Sequence, residues 1–358
     1  MRSQLLGTGI APSRRAMRIA QVAPLYESVP PKLYGGTERV VSWLTEALVR
    51  RGHDVTLFAS GDSRTAGRLV APCARAIRLD QDRPDPIALH AIELGQVFER
   101  AQDFDVIHCH VDYLPFPFGR LVPTPLIHTL HGRLDLDHLA RVFTAFPDTP
   151  LISISEAQRA PVKHLNLNWI GTVYHGLPVE HIPFRQEPDG YLAFLGRISP
   201  EKRLDLAIEV AKRAGLPLRI AAKVAESDRM YFEREIVPLL DDPLVEYLGE
   251  MSDDGKYEFL GGATALLFPI DWPEPFGLVM IEAMACGTPT VARPYGSVPE
   301  VLQDGETGFI GDSLEELVAA VKRIDVIDRA RCREEARTRF SVEIMTDRYE
   351  AVYRTLAR

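Results

Sequence analysis

Short apolar, β-branched runs alternate along this chain with stretches whose apolar residues recur at helical spacing. Segments 17–24, 54–58, 105–108, 126–130, 151–154 and 170–173 read as strands. Segment 37–51 reads as a helix, with Val40, Val41, Leu44 and Leu48 on one face and Gly52 as a stop. The alternation restarts after the polar, proline-bearing stretch 185–190 (RQEPDG). Strands are then expected at 191–196, 218–222, 244–248, 265–269, 288–292 and 308–310, helices at 203–214 and 230–240, and a last helix at 341–356. Apolar strands separated by helices imply parallel sheets covered on both faces. The expected fold is α/β, with two doubly wound domains facing across a cleft. The first spans 17–186 and takes back the terminal helix within 341–358, the second spans 187–340, and residues 1–16 form a disordered extension. Ligands of such sheets bind beyond the carboxyl ends of the strands, which points to the shared cleft.

Composition narrows this picture. A chain of 358 residues suits two domains, and a formal net charge of -9 argues against a nucleic-acid partner. Cys73, Cys109, Cys286 and Cys332 lie far apart with no CxxC pairing, so neither structural zinc nor a disulfide framework is expected. Cys109 and Cys286 read as small core residues, and a reducing cytoplasm is the expected compartment. No run reaches the roughly 18–20 apolar residues that span a bilayer, and residues 1–16 lack a secretory signal pattern. Arg14-Arg15 and Arg50-Arg51 leave room for loose contact with a membrane surface.

Candidate chemistry gathers just beyond the expected strands. Segment 271–287, DWPEPFGLVMIEAMACG, follows a strand and runs into a helix opening near Phe276 or Gly277. The free N–H groups of Gly277, Leu278 and Val279 and the helix dipole suit an anionic phosphate, and glycine lets a ligand approach the backbone. Glu274 lies ahead of this helix and Glu282 a little over two turns into it, each able to accept hydrogen bonds from hydroxyls. The plain alternative makes Glu274 a charge favoured by the dipole and Glu282 a surface residue. Segment 196–203, GRISPEKR, places Arg197 and Lys202 on a strand-to-helix loop. Two cations there can bind a diphosphate and stabilise charge as it leaves. The alternative is a capped helix start at Ser199-Pro200-Glu201 with solvated bases. Gly35 and Gly36, in YGGTE, allow close backbone approach, although a plain turn serves equally and no GxGxxG fingerprint is present.

His108, His110 and His131 end strands and can converge on a cleft, whereas His90, His138, His164 and His181 read as structural or solvated. Asp103 with Asp105, and Asp135 with Asp137, imitate a metal-binding DxD pair without accompanying ligands. They read as loop and helix-start acids, and neither a metal nor any other cofactor is expected.

Together YGGTERVV, DVIHCH, TLHG, SISEAQR, GRISPEK and EPFGLVMIEAMACGTPTVA, followed by GSVPEVLQDGETGF, resemble the retaining glycosyltransferases of family 4 from about residue 17 to residue 358. The resemblance implies the GT-B fold of two Rossmann-like domains. It also implies transfer of a hexose from a UDP-sugar or GDP-mannose to the hydroxyl of a carbohydrate, lipid or small-molecule acceptor, without a metal. On this resemblance Glu274 holds hydroxyls of the donor sugar and Glu282 the ribose. Arg197 and Lys202 neutralise the diphosphate with the amides of Phe276, Gly277, Leu278 and Val279 and the loop at Gly35 and Gly36. His131 lies beside the transferred sugar, and Ser155 and Glu156 lie near the cleft. The family's acceptor attacks on the face the diphosphate leaves, which makes leaving-group electrostatics the largest catalytic effect. Two positions depart from the pattern: Arg203 stands where relatives often have glycine, and His175 replaces a frequent asparagine in a loop expected to tolerate left-handed geometry. Alternatives on the same architecture are a sugar-nucleotide epimerase, a phosphorylase, or a non-catalytic nucleotide-sugar binding protein.

Overall fold

Runs such as RIAQV and DVTLF are buried at every position after the first, as a strand covered on both faces requires. The structure, a computed structural model, describes residues 15–33, 35–82 and 84–357, so the expected extension lies outside the described residues except for Arg15 and Ala16. The first unit runs β1 (Arg18–Val22), α1 (Gly36–Arg50), β2 (Asp54–Phe58), β3 (Arg68–Val70), α2 (Pro86–Glu99), β4 (Val106–Cys109), β5 (Leu126–Thr129), α3 (Asp137–Ala145), β6 (Leu151–Ser153) and β7 (Trp169–Thr172). Its strands are parallel in the order β3-β2-β1-β4-β5-β6-β7.

The second unit runs β8 (Tyr191–Ile198), α4 (Leu204–Ala214), β9 (Leu218–Val224), α5 (Arg229–Tyr231), β10 (Val245–Gly249), α6 (Asp253–Gly262) and β11 (Ala263–Phe268). It continues through α7 (Leu278–Cys286), β12 (Thr290–Ala292), α8 (Val298–Val301), β13 (Gly308–Ile310), α9 (Leu314–Lys322) and α10 (Arg329–Arg339). Its sheet is parallel in the order β10-β9-β8-β11-β12-β13. The winding direction reverses between β1 and β4 in one sheet and between β8 and β11 in the other. Each reversal opens a crevice beyond the strand ends.

The last helix, α11 (Val342–Leu356), sends Val342, Met345, Tyr349 and Tyr353 into the core of the first sheet, beside Ile19, Leu44, Val106 and Ile127. Its entry is close to the chain at Leu177, whose N–H and carbonyl bond Phe340 and Val342 at 2.9 Å each. Gly176 is required there, since a Cβ would run into the Ser341 carbonyl. Arg51, read as half of a basic surface pair, instead donates to Asp347 and to the Glu343 carbonyl of α11.

Three differences from the sequence reading have physical causes. The single helix expected over 230–240 is broken into α5, a π-helical turn and a 3₁₀ turn, with Pro238 unable to supply a helical N–H. Helix α2 went unread although Asp85 caps it, accepting from the Ile87 N–H at 2.8 Å, and Pro86 follows as its first residue. His175 does not take a left-handed conformation; among the described non-glycine residues Asp112 and Arg203 do. Cys109 and Cys286 are buried, as expected, and no helix among the described residues is long and apolar enough to cross a membrane.

Glu93, on the inner face of α2 beside Leu94 and Val97, is fully buried, and neither carboxylate oxygen has a partner among the described residues. Burial pushes its carboxyl well above the usual value of 4.5. The folded protein therefore holds it protonated, and its stability falls as pH rises past the point where the unfolded chain ionises. Glu93→Met is expected to raise stability at neutral pH by roughly 1–3 kcal/mol. Thermal melts across pH check this, with the gain shrinking toward pH 4.5.

Candidate functional site

The crevice of the second sheet is built by the loops that follow β8 and β11. Arg197 is the next-to-last residue of β8 and Lys202 closes the 3₁₀ turn Pro200–Lys202. The chain then passes through Arg203 at φ 52°, in the left-handed region that favours glycine. Its guanidinium holds that turn by bonding Asp205 at 2.9 Å and Asp271 at 3.2 Å. From the β11 side, the Lys202 ammonium donates to Glu274 and lies 5.0 Å above the Trp272 ring, while the Trp272 indole donates to the same carboxylate at 3.1 Å. Arg197 pairs with Glu201 at 2.6 Å and approaches Asp228 at 3.6 Å. Both expected cations thus face the cleft already partnered by carboxylates, Arg197 by the neighbouring Glu201 and Lys202 by Glu274, 72 positions away.

Helix α7 opens later than expected, at Leu278, because Gly277 caps it in the left-handed region at φ 74°. A Cβ at 277 would press on the Met280 methyl at 2.6 Å. No side chain caps this helix, and the first N–H groups of a helix lack intrahelical acceptors. Glu282 is not a surface residue: it is buried and bonded at 2.7 Å by Lys256, whose ammonium burial holds below the usual amine range. Gly296 of the GSVPE stretch lies against the backbone of Glu274, and the Ser297 N–H bonds the Glu274 carbonyl at 2.9 Å. The two most specific sequence segments therefore form one structure.

The first sheet supplies the opposite wall. Gly35 precedes α1 and packs so closely on Pro31 that a Cβ would lie 2.7 Å from its ring, while a Cβ on Gly36 would meet nothing within 4 Å. His131, just beyond β5, stacks on His175 with centroids 5.2 Å apart and is pushed down to about 3 by burial, hence neutral. Its Nε2 lies 2.9 Å from His110 Nδ1, and its Nδ1 has no partner among the described residues.

One cavity of about 770 Å³ joins the two walls. It is lined by Gly35, Gly36, His131, Arg197, Lys202, Glu274, Phe276, Gly277, Leu278, Val279 and Glu282, so the structure brings these donor-site candidates together, while Ser155 and Glu156 are not in its lining. His110 lines it as well, while His108 is buried behind it on Tyr353 and Thr129. His90 also borders the cavity, held by the Leu25 N–H and the Pro86 carbonyl, whereas His138, His164 and His181 are exposed. The aspartates of the DxD-like pairs are engaged elsewhere: Asp103, Asp105 and Asp135 pair with Arg100, Arg18 and Arg133, and Asp137 opens α3.

Three contributors escaped the sequence reading: Trp272, Lys256 and Glu300. Glu300 on α8 accepts from the N–H groups of Glu156 and Ala157 at 2.8 and 2.6 Å and from the Tyr174 hydroxyl at 3.0 Å. Ser155 donates to the Pro275 carbonyl at 2.6 Å. These bonds tie the first unit to α8 and to the loop that carries Glu274.

Residues 34–180 match the family model Glycosyltransferase Family 4, and residues 181–339 match Glycosyl transferases group 1. The chain is 26% identical to the phosphatidyl-myo-inositol mannosyltransferase of Mycobacterium leprae, over 95% of this chain and 97% of that protein. It is 25% identical to the D-inositol 3-phosphate glycosyltransferase of Mycolicibacterium smegmatis, over 78% of this chain and 75% of that protein. Among solved structures, sucrose-phosphate synthase from Thermosynechococcus elongatus superposes with a TM-score of 0.77 at 19% identity, covering 96% and 99% of the two chains. Anabaena HepE in complex with UDP and glucose superposes with a TM-score of 0.74 at 17% identity, covering 95% and 100%.

Proposed function

Because the chain belongs to the family 4 glycosyltransferases of GT-B fold, we propose that it moves a hexose from a UDP-sugar or GDP-mannose to an acceptor hydroxyl, with retention of configuration and without a metal. The observation that carries this reading is the convergence, on one cavity, of Lys202 bonded to Glu274, Arg197 and the uncapped mouth of α7. A diphosphate seated there meets two cations and a helix N-terminus, which stabilise the charge that grows as the glycosidic bond breaks. The sugar extends toward Glu274 and His131, and the ribose toward Glu282. Glu274 exchanges its bond with Lys202 for sugar hydroxyls when the donor binds. The HepE complex with UDP and glucose supports a nucleotide-sugar donor. Four unpaired thiols fit a cytoplasmic setting. The acceptor enters from the first-sheet side, by way of the crevice between β1 and β4.

A panel of nucleotide sugars in thermal-shift assays, followed by a transfer and hydrolysis assay of the best binder in EDTA, tests this. Turnover that survives the chelator is expected. A chain that binds no nucleotide sugar, or that turns over only with added divalent metal, contradicts the reading.

A further inference from the structure

Behind His131 the polar side chains form one continuous file. His131 Nε2 lies 2.9 Å from His110 Nδ1, and His110 Nε2 lies 2.8 Å from Gln21 Oε1. Gln21 Nε2 donates to the Tyr353 hydroxyl at 3.0 Å, and that hydroxyl lies 2.7 Å from His108 Nδ1. His108 Nε2 lies 2.7 Å from Thr129 Oγ1, which meets the Tyr349 hydroxyl at 3.1 Å. Gln21, His108, His110, Thr129, Tyr349 and Tyr353 are each at most 2% exposed. Burying this many polar groups in a sheet core is costly unless each is bonded, and here each has a partner.

The file has a direction. Gln21 presents its amide nitrogen to Tyr353 and its carbonyl to His110, and in that orientation the carbonyl accepts and His110 Nε2 carries the proton. A neutral imidazole has one N–H, so His110 Nδ1 accepts and His131 Nε2 donates to it. The lone pair of His131 is then on Nδ1, a buried atom without a partner among the described residues, in a ring that borders the cavity. We propose that Gln21 and Tyr353 are positioning residues for sugar transfer: through His110 they hold His131 as the neutral Nε2–H imidazole, whose Nδ1 accepts a hydrogen bond from the donor sugar. The returning helix α11, remote in sequence from the cavity, thereby sets its hydrogen-bond polarity. This inference rests on the cavity being the hexose-transfer site.

Gln21→Glu separates it from a merely structural role. A carboxylate at 21 accepts from both His110 and Tyr353 and favours the His110 imidazolium. His110 is otherwise surrounded by His108, His128, His131 and His175, all held neutral by burial, with Thr129, Tyr349 and Tyr353 nearby and Asp112 two residues on. An imidazolium donates from Nδ1 as well, which forces His131 into the Nδ1–H form and presents a donor where the native ring presents an acceptor. The readout is the affinity of UDP-glucose or GDP-mannose relative to the matching nucleoside diphosphate, by calorimetry between about pH 6 and 8. In the native protein this ratio is expected to be flat. In Gln21→Glu it is expected to fall about tenfold at the acid end, one neutral hydrogen bond's worth, and to recover as pH rises. Tyr353→Phe is expected to lower the ratio at every pH.

Ring ¹⁵N shifts of histidine-labelled native protein give the tautomer directly, with the Nε2–H form expected at His131. An Nδ1–H form there, or a Gln21→Glu ratio as flat as the native one, overturns the inference even if both variants fold and bind. Failure of the native protein to bind either nucleoside diphosphate sinks the transfer-site reading instead, while the tautomer remains measurable.

Discussion

Lys202→Ala is expected to lower turnover of the nucleotide sugar by about 10²–10³-fold at saturating donor. The ammonium is mostly shielded from solvent, clasped between Glu274 and the faces of Trp272 and Phe268. In such surroundings a fixed charge acts more strongly on a developing anion than it does in water. The diphosphate gains most of its negative charge only as the glycosidic bond breaks, so the loss falls on the transition state more than on ground-state binding. Nucleoside diphosphate affinity is therefore expected to weaken far less than turnover, because Arg197 and the N–H groups at the mouth of α7 remain. Initial rates of nucleoside diphosphate release, with sugar passing to an acceptor or to water, measured beside calorimetric affinities, separate the two effects. Equal losses in both would show that Lys202 serves only to bind.

Glu274→Ala should act on the other half of the donor. The residue sits where the loop after β11 meets α7, its backbone held by Gly296 and Ser297 and its carboxylate by Lys202 and Trp272. Hydrogen bonds to a charged group contribute about 1.5–3 kcal/mol each, so losing its contacts to the sugar should cost about 10–100-fold in turnover. Preference among sugars on the same nucleotide should collapse with it. Binding of the bare nucleoside diphosphate should largely survive, since the variant frees Lys202 for the phosphates. Competition assays with paired UDP-sugars check this, and a variant that keeps the native sugar preference would remove Glu274 from the sugar site.

The parts of this site that were legible in the sequence are those whose chemistry is local. Arg197 and Lys202 flank the end of β8, Glu274 and the α7 mouth lie on the connection after β11, and strand ends in a doubly wound sheet converge on the cleft by topology alone. Strand β3 was missed because it is three residues long at a sheet edge, opens with an exposed arginine and has no fully buried position. The partnering of Glu282 with Lys256 spans 26 positions and that of the Glu156 amide with Glu300 spans 144, so neither leaves a trace in a window of helical or strand length. The same holds more strongly for Gln21 and Tyr353, 332 positions apart and brought together by the return of α11 to the first core. Arg203 was legible as a departure from the family pattern, yet its outcome was not: the residue takes a left-handed turn with its guanidinium bonded to Asp205 and Asp271.

A crystal structure of the protein with UDP or GDP bound decides where the donor's diphosphate sits. The diphosphate is expected between Arg197 and Lys202, with its oxygens on the N–H groups of Leu278 and Val279 and the ribose beside Glu282. Nucleotide density elsewhere on the protein, with that crevice vacant, would contradict it.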